Sequence, residues 1–495
     1  MTAPAAYTAL EDRFRRIGLL GGVQSLLDWD TATMMPDGGG DSRAEQQAAL
    51  AAVVHREVVA PDIGDLIARA ESERLSDAQR GNLRGIRHRY VHSTAVDTRL
   101  VEEVNRATAK CEMAWREAKP ANDFAGLRPH LEAVLRLVRE RAAAKAVALK
   151  VSPYQALLDE FNPGLRQAEV RAFFAKLEAF LPALLRSVME RQGPPPASMR
   201  IPASHGAQAR FGTELMSRMG FDFLHGRLDE SRHPFMSGTG DDVRITMRTD
   251  EGDFVTGMLA VVHETGHALY ERGLPAAWRW QPGGDAAGSA MHEGQALLWE
   301  MVVGRSRAFL SALAPIATQS LGLPVDPEGL IAIVQRVEPG FIRVDADEVT
   351  YPLHVLLRYQ LEEALFDDRL AVADLPDAWN DAMQRLLGIR PRTDTEGCLQ
   401  DIHWMLGNFG YFPSYALGVA AGAQMFAAAT KACGDLWPAF SRGDTGGLLG
   451  WLREHIHAHG SLLPAAEILT RATGRSFDAD ALETHLRRRY LDRAN

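Results

Sequence analysis

Apolar residues recur three and four positions apart along most of this chain, a spacing that places them on one face of an α-helix. Breaks that contain Pro and Gly separate these segments, as expected for successive helices joined by turns. The pattern predicts a series of helices before residue 195 and further helices after residue 250. The most regular segments are 43–59, 77–92, 101–119, 127–147, 167–191, 253–272, 291–314, 325–338, 347–366, 375–387, 395–405, 414–432, 444–458 and 463–472.

Residues 242–249 follow a different pattern, because apolar and polar residues alternate there as in a half-buried β-strand. This strand directly precedes the helix predicted at 253–272. The chain is therefore predicted to be mostly α, with one small sheet. We interpret the Pro-rich stretch 193–196 as a loop that ends a helix, because no low-complexity linker surrounds it. We expect one domain over residues 1–495, with an N-terminal helical lobe of about 1–195 and a catalytic part of about 196–495.

The composition limits the classes of protein to which the chain can belong. Lys and Arg number 54 and Asp and Glu number 64, which gives a net charge of −10 and argues against nucleic acid as a partner. The three cysteines are widely spaced, which suits free thiols in a reducing compartment. The first residues contain no apolar signal region, and the chain contains no long uncharged apolar run. We therefore expect a cytoplasmic protein that does not span a membrane.

The helix predicted at 253–272 contains a candidate metal site. His263 and His267 are four residues apart, so both imidazoles lie on one face of the helix and can bind one ion. Glu264 lies about 60° around the helix from His267, close enough to polarise a water on that ion. This is the arrangement of a zinc peptidase. The alternative is a helix that carries two histidines by chance, but the apolar stripe around them indicates a buried face.

The third metal ligand has to come from further along the chain. The continuation of the motif differs from that of metzincins, because Tyr270 and Gly273 occupy the positions where those enzymes have Gly and His. A Glu on a second helix is the usual alternative. We select Glu293 over His292 and Glu300, on spacing and on its position where a loop enters a helix. Glu293 would otherwise be an acid stabilised by the helix dipole.

Several motifs together resemble the carboxypeptidase Taq family of zinc carboxypeptidases over nearly the whole chain. They are, in order, Leu27-Asp28-Trp29-Asp30 with Met34-Met35-Pro36, His233-Pro234-Phe235, Asp242-x-Arg244-x-Thr246, the 263–267 motif, His292-Glu293, Ile342-Arg343-x-x-Ala346-Asp347, Gly397-x-x-Gln400-Asp401-x-His403-Trp404 and Phe409-Gly410-Tyr411-Phe412-Pro413-Ser414-Tyr415. The resemblance implies a mostly helical fold with a deep groove, similar to neurolysin and angiotensin-converting enzyme. It also implies a homodimer, one Zn²⁺ or Co²⁺ per subunit, and peptide substrates with a free C-terminus.

The resemblance also implies roles for residues beyond the metal ligands. Tyr415 is expected to donate to the oxyanion and Tyr411 to the substrate carboxylate, although the two could be exchanged. Arg343 is the expected carboxylate anchor, because a guanidinium matches two oxygens. His403 and His233 are expected to contact substrate in the groove. The tyrosines would otherwise be core aromatics.

Three points stay open at the level of sequence. Arg343 could instead pair with Asp347 four residues on. Asp347, Glu348, Gln400 and Asp401 are candidates to orient the zinc histidines, and the sequence does not distinguish them. The family usually has Ser where this chain has Gly294 and Ala296, so two hydroxyls next to the third ligand are missing.

The function expected from these residues is zinc-dependent removal of single amino acids from the C-terminus of peptides. In that reaction Glu264 acts as general base on a metal-activated water. Two alternatives remain: an oligoendopeptidase or dipeptidyl-carboxypeptidase on the same fold, and a catalytically silent zinc-stabilised peptide-binding protein.

Overall fold

The computed structural model describes residues 5–196 and 198–492, and these form a mostly helical fold. The α-helices are, in order, α1 (Ala5–Thr33), α2 (Gly40–Val58), α3 (Ile63–Glu71), α4 (Asp77–Thr94), α5 (Thr98–Ala121), α6 (Phe124–Leu149), α7 (Pro153–Phe161), α8 (Gln167–Arg191), α9 (His205–Met219), α10 (Phe254–Gly273), α11 (Ser289–Leu297), α12 (Arg307–Leu321), α13 (Pro327–Val334), α14 (Tyr351–Phe366), α15 (Leu375–Leu387), α16 (Pro413–Cys433), α17 (Trp437–Phe440), α18 (Gly446–His455), α19 (Ala465–Thr473) and α20 (Ala479–Tyr490). None of the helices in the described ranges is long and apolar enough to cross a membrane.

The predicted strand exists and belongs to a three-stranded sheet. Its strands are β1 (Gly226–Glu230), β2 (Met236–Thr239) and β3 (Asp242–Met247). The strand predicted at 242–249 corresponds to β3, which ends two residues earlier and lies in the middle of the order β1-β3-β2. β1 is parallel to β3 and β2 is antiparallel to it. The free edges of the sheet therefore belong to β1 and β2. The sequence pattern did not predict either of these two strands.

Most of the buried apolar residues form one continuous core. It extends in sequence from Cys111 to Leu486 and includes the inward faces of β3, α10, α11, α14 and α16. A smaller cluster joins α1, α3 and α4 between Ala6 and Ile86. The division into two lobes near residue 195 stays a prediction. The stretch at 193–196 follows the end of α8 at Arg191, as expected for a helix-ending loop.

Two helix predictions are wrong in informative ways. The segment predicted as a helix at 395–405 consists of turns, and Gly407 and Gly410 next to it adopt positive φ values of 74° and 85°. The helix predicted at 291–314 is interrupted, because Leu298–Val303 forms a π-helical turn and the chain then bends before α12. Gly304 closes this turn, since an added Cβ would lie 2.7 Å from the Glu300 carbonyl oxygen.

The helices around the predicted metal site approach one another through small residues. An added Cβ at Gly266 of α10 would lie 2.7 Å from Cα of Ala296 in α11. At Gly418 of α16 it would lie 2.9 Å from Cβ of Glu293. Backbones that approach this closely leave no space for larger side chains, so the separation of α10, α11 and α16 is fixed by packing.

Candidate metal centre

The helix α10 presents the two histidines of the sequence motif. The carboxylate of Asp253 accepts a hydrogen bond from the Val255 N–H at 3.0 Å and caps the start of this helix. The predicted range of 253–272 is confirmed to within one residue. The rings of His263 and His267 lie edge to face, with centroids 4.8 Å apart. Both imidazoles face α11 across the contact between the two helices.

Glu293 completes a triangle of potential ligands. Its Oε2 lies 3.8 Å from His263 Nε2 and 4.0 Å from His267 Nε2. A tetrahedral zinc site with bonds near 2.1 Å requires ligand atoms ~3.4 Å apart, so a small closure would accommodate the ion. Glu293 Oε2 is buried and has no hydrogen-bond partner within the described residues. An unpaired buried carboxylate oxygen that faces two imidazoles fits a divalent cation.

The other two candidates for third ligand have different neighbours. His292 points its Nε2 at Glu271 Oε1, 3.1 Å away, and its ring stacks on that of His267 at 4.3 Å. Glu300 Oε2 accepts a hydrogen bond from His263 Nδ1 at 2.9 Å, on the side of the ring opposite the triangle. Among the three candidates, Glu293 is the one that places an oxygen near the Nε2 atoms of both histidines.

Glu300 contacts a candidate metal ligand, and the sequence did not reveal this contact. A carboxylate on the outer nitrogen of a ligating histidine fixes the ring orientation and increases its basicity. Glu300 is in turn held by Arg305, whose Nη2 lies 3.3 Å from Glu300 Oε1. The π-helical turn at Leu298–Val303 carries Glu300, and such turns often occur at functional sites. A π-helical turn leaves no clear periodicity in the sequence, so this contact could not be predicted.

The four residues considered from the sequence as partners for the zinc histidines make other contacts. They are Asp347, Glu348, Gln400 and Asp401. Asp347 accepts hydrogen bonds from the backbone of Glu338, Val349 and Thr350, so it shapes the turn before α14. The other three contact arginines or the C-terminal helix: Glu348 pairs with Arg489 at 2.8 Å, Gln400 accepts from Arg358 at 2.7 Å and Asp401 accepts from Arg343. None of these bonds involves a histidine of the triangle.

The electrostatics of the site indicate an excess of negative charge. Burial opposes a charged imidazolium at His263, but the surrounding carboxylates of Glu300, Glu264 and Glu293 raise its pKa to about 9. Burial raises the pKa of Glu264 to about 7. Burial and the neighbouring imidazoles hold the pKa of His267 well below its ordinary value. A divalent cation among these groups would neutralise the carboxylates and favour neutral imidazoles.

Three aromatic residues from the turn-rich segment and α16 form a cluster that contacts the triangle through Tyr411. Tyr411 donates its hydroxyl to Glu293 Oε1 at 3.1 Å, which leaves Oε2 directed at the histidines. The hydroxyl of Tyr415 lies 3.3 Å from His403 Nε2. Burial lowers the pKa of His403 to about 4, so its ring is neutral at physiological pH. The predicted residues Tyr411, Tyr415 and His403 are therefore neighbours of the triangle.

Arg343 lies beside these tyrosines but does not pair with Asp347. Its Nε and Nη2 donate to Asp401 Oδ1 at 3.2 and 2.9 Å, and its guanidinium is 4.8 Å from the ring centroid of Tyr415. The predicted alternative of a salt bridge to Asp347 is wrong, because backbone amides occupy that carboxylate. The remaining Nη1 points at the hydroxyl of Tyr351, 3.3 Å away. One edge of the guanidinium is thus committed to Asp401.

His233 lies in a surface loop, whereas Gly294 and Ala296 lie at contacts between helices. His233 is exposed in the loop between β1 and β2, and its carbonyl oxygen accepts a hydrogen bond from Ser231. An added Cβ at Gly294 would face Ala421 of α16, 3.3 Å away. Ala296 is buried against Gly266. Gly294 and Ala296 thus lie at helix contacts, where small side chains permit close packing.

A cavity of about 870 Å³ opens next to the triangle. Its lining includes His88, His92 and Asp159 of α4 and α7. It also includes His292 and Tyr411, which contact residues of the triangle. A cavity of this size accommodates several residues of an extended peptide.

The chain is similar to known metallocarboxypeptidases over nearly its whole length. The family profile described as Carboxypeptidase Taq (M32) metallopeptidase matches residues 9–490. Thermostable carboxypeptidase 1 of Thermus thermophilus is 40% identical, over 99% of each chain. The structure of Trypanosoma cruzi metallocarboxypeptidase 1 superposes with a TM-score of 0.97 at 38% identity, over 99% of this chain and 100% of that one. An M32 carboxypeptidase of Deinococcus radiodurans gives 0.93 at 35% identity, over 99% of each. These neighbours confirm the predicted fold class.

The contact between Glu300 and His263 generates a prediction about metal affinity. Glu300→Ala should weaken Zn²⁺ binding by about 10- to 100-fold, because His263 loses the acceptor for its outer N–H. Glu300→Gln should lose less Zn²⁺ affinity than Glu300→Ala, since the amide oxygen of Gln can still accept that hydrogen bond. Affinity is measured by competition with a chromophoric chelator, and far-UV circular dichroism verifies the fold.

The matched control is Glu328→Ala, which breaks an exposed ion pair with Arg307 and should leave affinity unchanged. Wild-type affinity in Glu300→Ala would show that Glu300 does not support the site.

Proposed function

Because the chain belongs to the carboxypeptidase Taq (M32) metallopeptidase family, we propose that it is a zinc-dependent enzyme that releases single amino acids from the C-terminus of peptides. The family resemblance inferred from the motifs is confirmed, as is its assignment as a metallocarboxypeptidase. One observation carries the finer proposal: His263, His267 and Glu293 direct ligand atoms at a common point, and Glu264 lies buried beside them.

The proposed metal ligands are His263, His267 and Glu293. Zn²⁺ bound there would supply Lewis acidity, which lowers the pKa of a water and polarises a peptide carbonyl. Two imidazoles and one carboxylate suit Zn²⁺, and Co²⁺ accepts the same ligand set. Tyr411 donates a hydrogen bond to Oε1 of Glu293, so Oε2 is the oxygen available to the metal. This hydrogen bond fixes the orientation of the ligating carboxylate.

Glu264 is the proposed general base. It is buried, and a carboxyl whose pKa lies near neutrality can both accept and return a proton at physiological pH. Glu264 accepts a proton from the attacking water and then donates it to the amine that leaves. The negative charge that develops on the former carbonyl oxygen requires hydrogen-bond donors.

Tyr415 is proposed as the donor to that oxyanion, with Tyr411 and His403 as substrate contacts. The ring centroids of the two tyrosines are 5.3 Å apart, and burial raises the pKa of both hydroxyls. Each hydroxyl therefore keeps its proton at neutral pH and can donate it. His403 is neutral and bonded to the Tyr415 hydroxyl, so it orients that group. His233 is proposed to contact substrate from the loop between β1 and β2.

Arg343 is the proposed anchor for the terminal carboxylate. Asp401 accepts from one edge of the guanidinium and the Tyr351 hydroxyl accepts from Nη1 at 3.3 Å, so the second N–H of Nη1 is the donor that would bind substrate. Asp401 also accepts from Arg358 Nε at 2.6 Å. Two guanidiniums share one carboxylate, so this cluster carries a net positive charge beside the tyrosines. That charge favours a substrate carboxylate.

Two further properties are part of the proposal. We propose a homodimer with one metal ion per subunit, which the family resemblance implies. We also propose a cytoplasmic location, because Cys111, Cys398 and Cys433 are free thiols in the structure.

The proposed function predicts a product pattern and its dependence on Glu264. Chromatography and mass spectrometry of a digested unblocked peptide should detect single residues released in order from the C-terminus. A chelator should stop the release, and added Zn²⁺ or Co²⁺ should restore it. Glu264→Gln should keep its metal but lose about 10²- to 10⁴-fold in kcat, because the general base is lost.

Glu293→Gln is the comparison variant. Unlike Glu264→Gln, it should bind the metal more weakly, because it lacks a proposed ligand. Release of dipeptides or internal fragments would replace the proposal with one of the other activities on this fold. Absence of any hydrolysis by the metal-loaded protein would indicate a silent binding protein, and near-normal turnover in Glu264→Gln would reject the base.

The anchor role of Arg343 predicts an effect on KM that depends on the substrate terminus. Arg343→Ala should raise KM for peptides with a free C-terminus by about 10-fold or more, since a hydrogen bond to a charged group contributes about 1.5–3 kcal/mol. Peptides with an amidated C-terminus should be affected little. Steady-state kinetics on the matched peptide pair measures this difference.

Arg343→Lys is the control that keeps the charge beside Asp401 but removes the planar guanidinium. Its KM for the peptide with a free C-terminus should lie between those of wild type and Arg343→Ala. An equal rise in KM for both peptides would show that Arg343 supports the site only through Asp401.

A further inference from the structure

A second group of potential metal ligands lines the cavity beside the triangle. His88 and His92 are one turn apart on α4, so their rings face the same direction, with centroids 4.3 Å apart. Both Nε2 atoms lie 3.0 Å from the same oxygen, Oδ2 of Asp159 on α7. The three ligand atoms lie within 4.8 Å of one another. This arrangement of two histidines at i and i+4 with a distant carboxylate repeats that of the first site.

The distances in this group suit a small divalent cation. Ligand atoms around a tetrahedral zinc ion are ~3.4 Å apart, so an expansion of a few tenths of an ångström would admit the ion. Asp159 Oδ1 accepts a hydrogen bond from the Gly164 N–H at 2.9 Å. This hydrogen bond to Oδ1 fixes the orientation of the carboxylate, and Oδ2 is directed at the imidazoles. The carbonyl oxygen of Asp159, 3.0 Å from His88 Nε2, is a further oxygen donor at the same place.

Metal binding at this group is coupled to proton release. His88 Nε2 and His92 Nε2 each lie 3.0 Å from Asp159 Oδ2, and this carboxylate oxygen accepts a hydrogen bond from both. An ion bound to these atoms replaces the protons on the two Nε2 atoms, so its affinity should fall at low pH.

The surrounding charges leave this group accessible to a cation. Lys145 is a buried base close to this group, and its Nζ is paired with Glu160 Oε2 at 2.7 Å. Arg141 donates to the Gly407 carbonyl oxygen at 2.9 Å. The two acids, Asp159 and Glu160, balance these two bases. The cavity lining also contains two arginines and two further acids, so an added cation meets no net positive charge; these residues are Arg84, Arg89, Glu271 and Asp285.

We propose that His88, His92 and Asp159 form a second site for a divalent transition-metal ion of the zinc class. The site goes beyond the proposed peptidase activity and does not depend on it. Its remaining coordination position faces the cavity, because all three residues line that space. The nitrogen Nδ1 of His92 has no hydrogen-bond partner in the described part of the chain, and the same is true of His267 Nδ1 in the first site.

An ion at this site would fasten α4 to α7 and so stabilise one wall of the cavity. The helix α7 also carries Phe161, whose ring packs edge to face on Tyr411 with centroids 5.0 Å apart. Asn162, directly after α7, accepts a hydrogen bond from Ala290 N at 2.7 Å, near the start of α11. The second site is thus connected by two contacts to residues beside Glu293.

Metal stoichiometry of the full-length chain tests the proposal. The protein is stripped with chelator, titrated with Co²⁺ and followed by visible absorption and by elemental analysis after dialysis. Wild type should bind two equivalents. His267→Ala, which disables the first site, should bind one, and His267→Ala combined with His92→Gln should bind none. Loss of a direct ligand should weaken the second site by at least about 100-fold, because loss of an outer contact alone costs 10- to 100-fold.

The variants are chosen to keep the fold. His92→Gln retains a side-chain donor for Asp159, and Asp159→Asn tests the same site from α7. His55→Ala removes an exposed histidine on α2 and should still bind two equivalents. In the His267→Ala background, Co²⁺ should raise the melting temperature, and His92→Gln should abolish that rise.

Two results would overturn the proposal. One is a single equivalent in wild type with none in His267→Ala, which would make the group a metal-free link between α4 and α7. The other is a second equivalent that persists in both His92→Gln and Asp159→Asn.

Discussion

The close packing of α10, α11 and α16 is the constraint on which the metal centre depends. Gly266 allows α10 to contact the backbone of α11, and Gly418 allows α16 to approach Glu293. Each helix contributes part of the site: two histidines from α10, Glu293 from α11 and Tyr415 from α16. Because the backbones are in contact, the ligands cannot separate without opening the core. The position of the ligand triangle is therefore a consequence of which residues are small.

Charge is arranged around this frame in two opposed groups. Carboxylates predominate around the triangle, where Glu264, Glu293 and Glu300 surround His263. Beyond the tyrosines the balance reverses, because Arg343 and Arg358 share Asp401. Buried ionic groups of this kind cost desolvation energy and contribute little net stability. In the proposed function, the carboxylate group would attract the metal ion and the arginine group would attract the terminal carboxylate of the substrate.

The sequence was sufficient for those parts of the site that follow helix periodicity. His263 and His267 could be placed together from their spacing alone, and α10 was predicted to within one residue. Glu300 could not be assigned, because a π-helical turn shifts the face on which residue 300 lies. The segment around Asp401 and His403 was wrongly predicted as a helix, since its turns depend on glycines with positive φ. The group of His88, His92 and Asp159 was not predicted, because Asp159 lies 67 residues from His92. The four-residue spacing of the two histidines is the signal that could have indicated it.

A crystal structure of the zinc-loaded protein, with anomalous data collected on both sides of the zinc edge, tests the central claim most directly. The account predicts an anomalous peak about 2.0–2.2 Å from His263 Nε2, His267 Nε2 and an oxygen of Glu293. It also predicts that Glu300 still contacts His263 Nδ1. A peak bound by His292 or Glu300 in place of Glu293, or no peak between α10 and α11, would contradict the account.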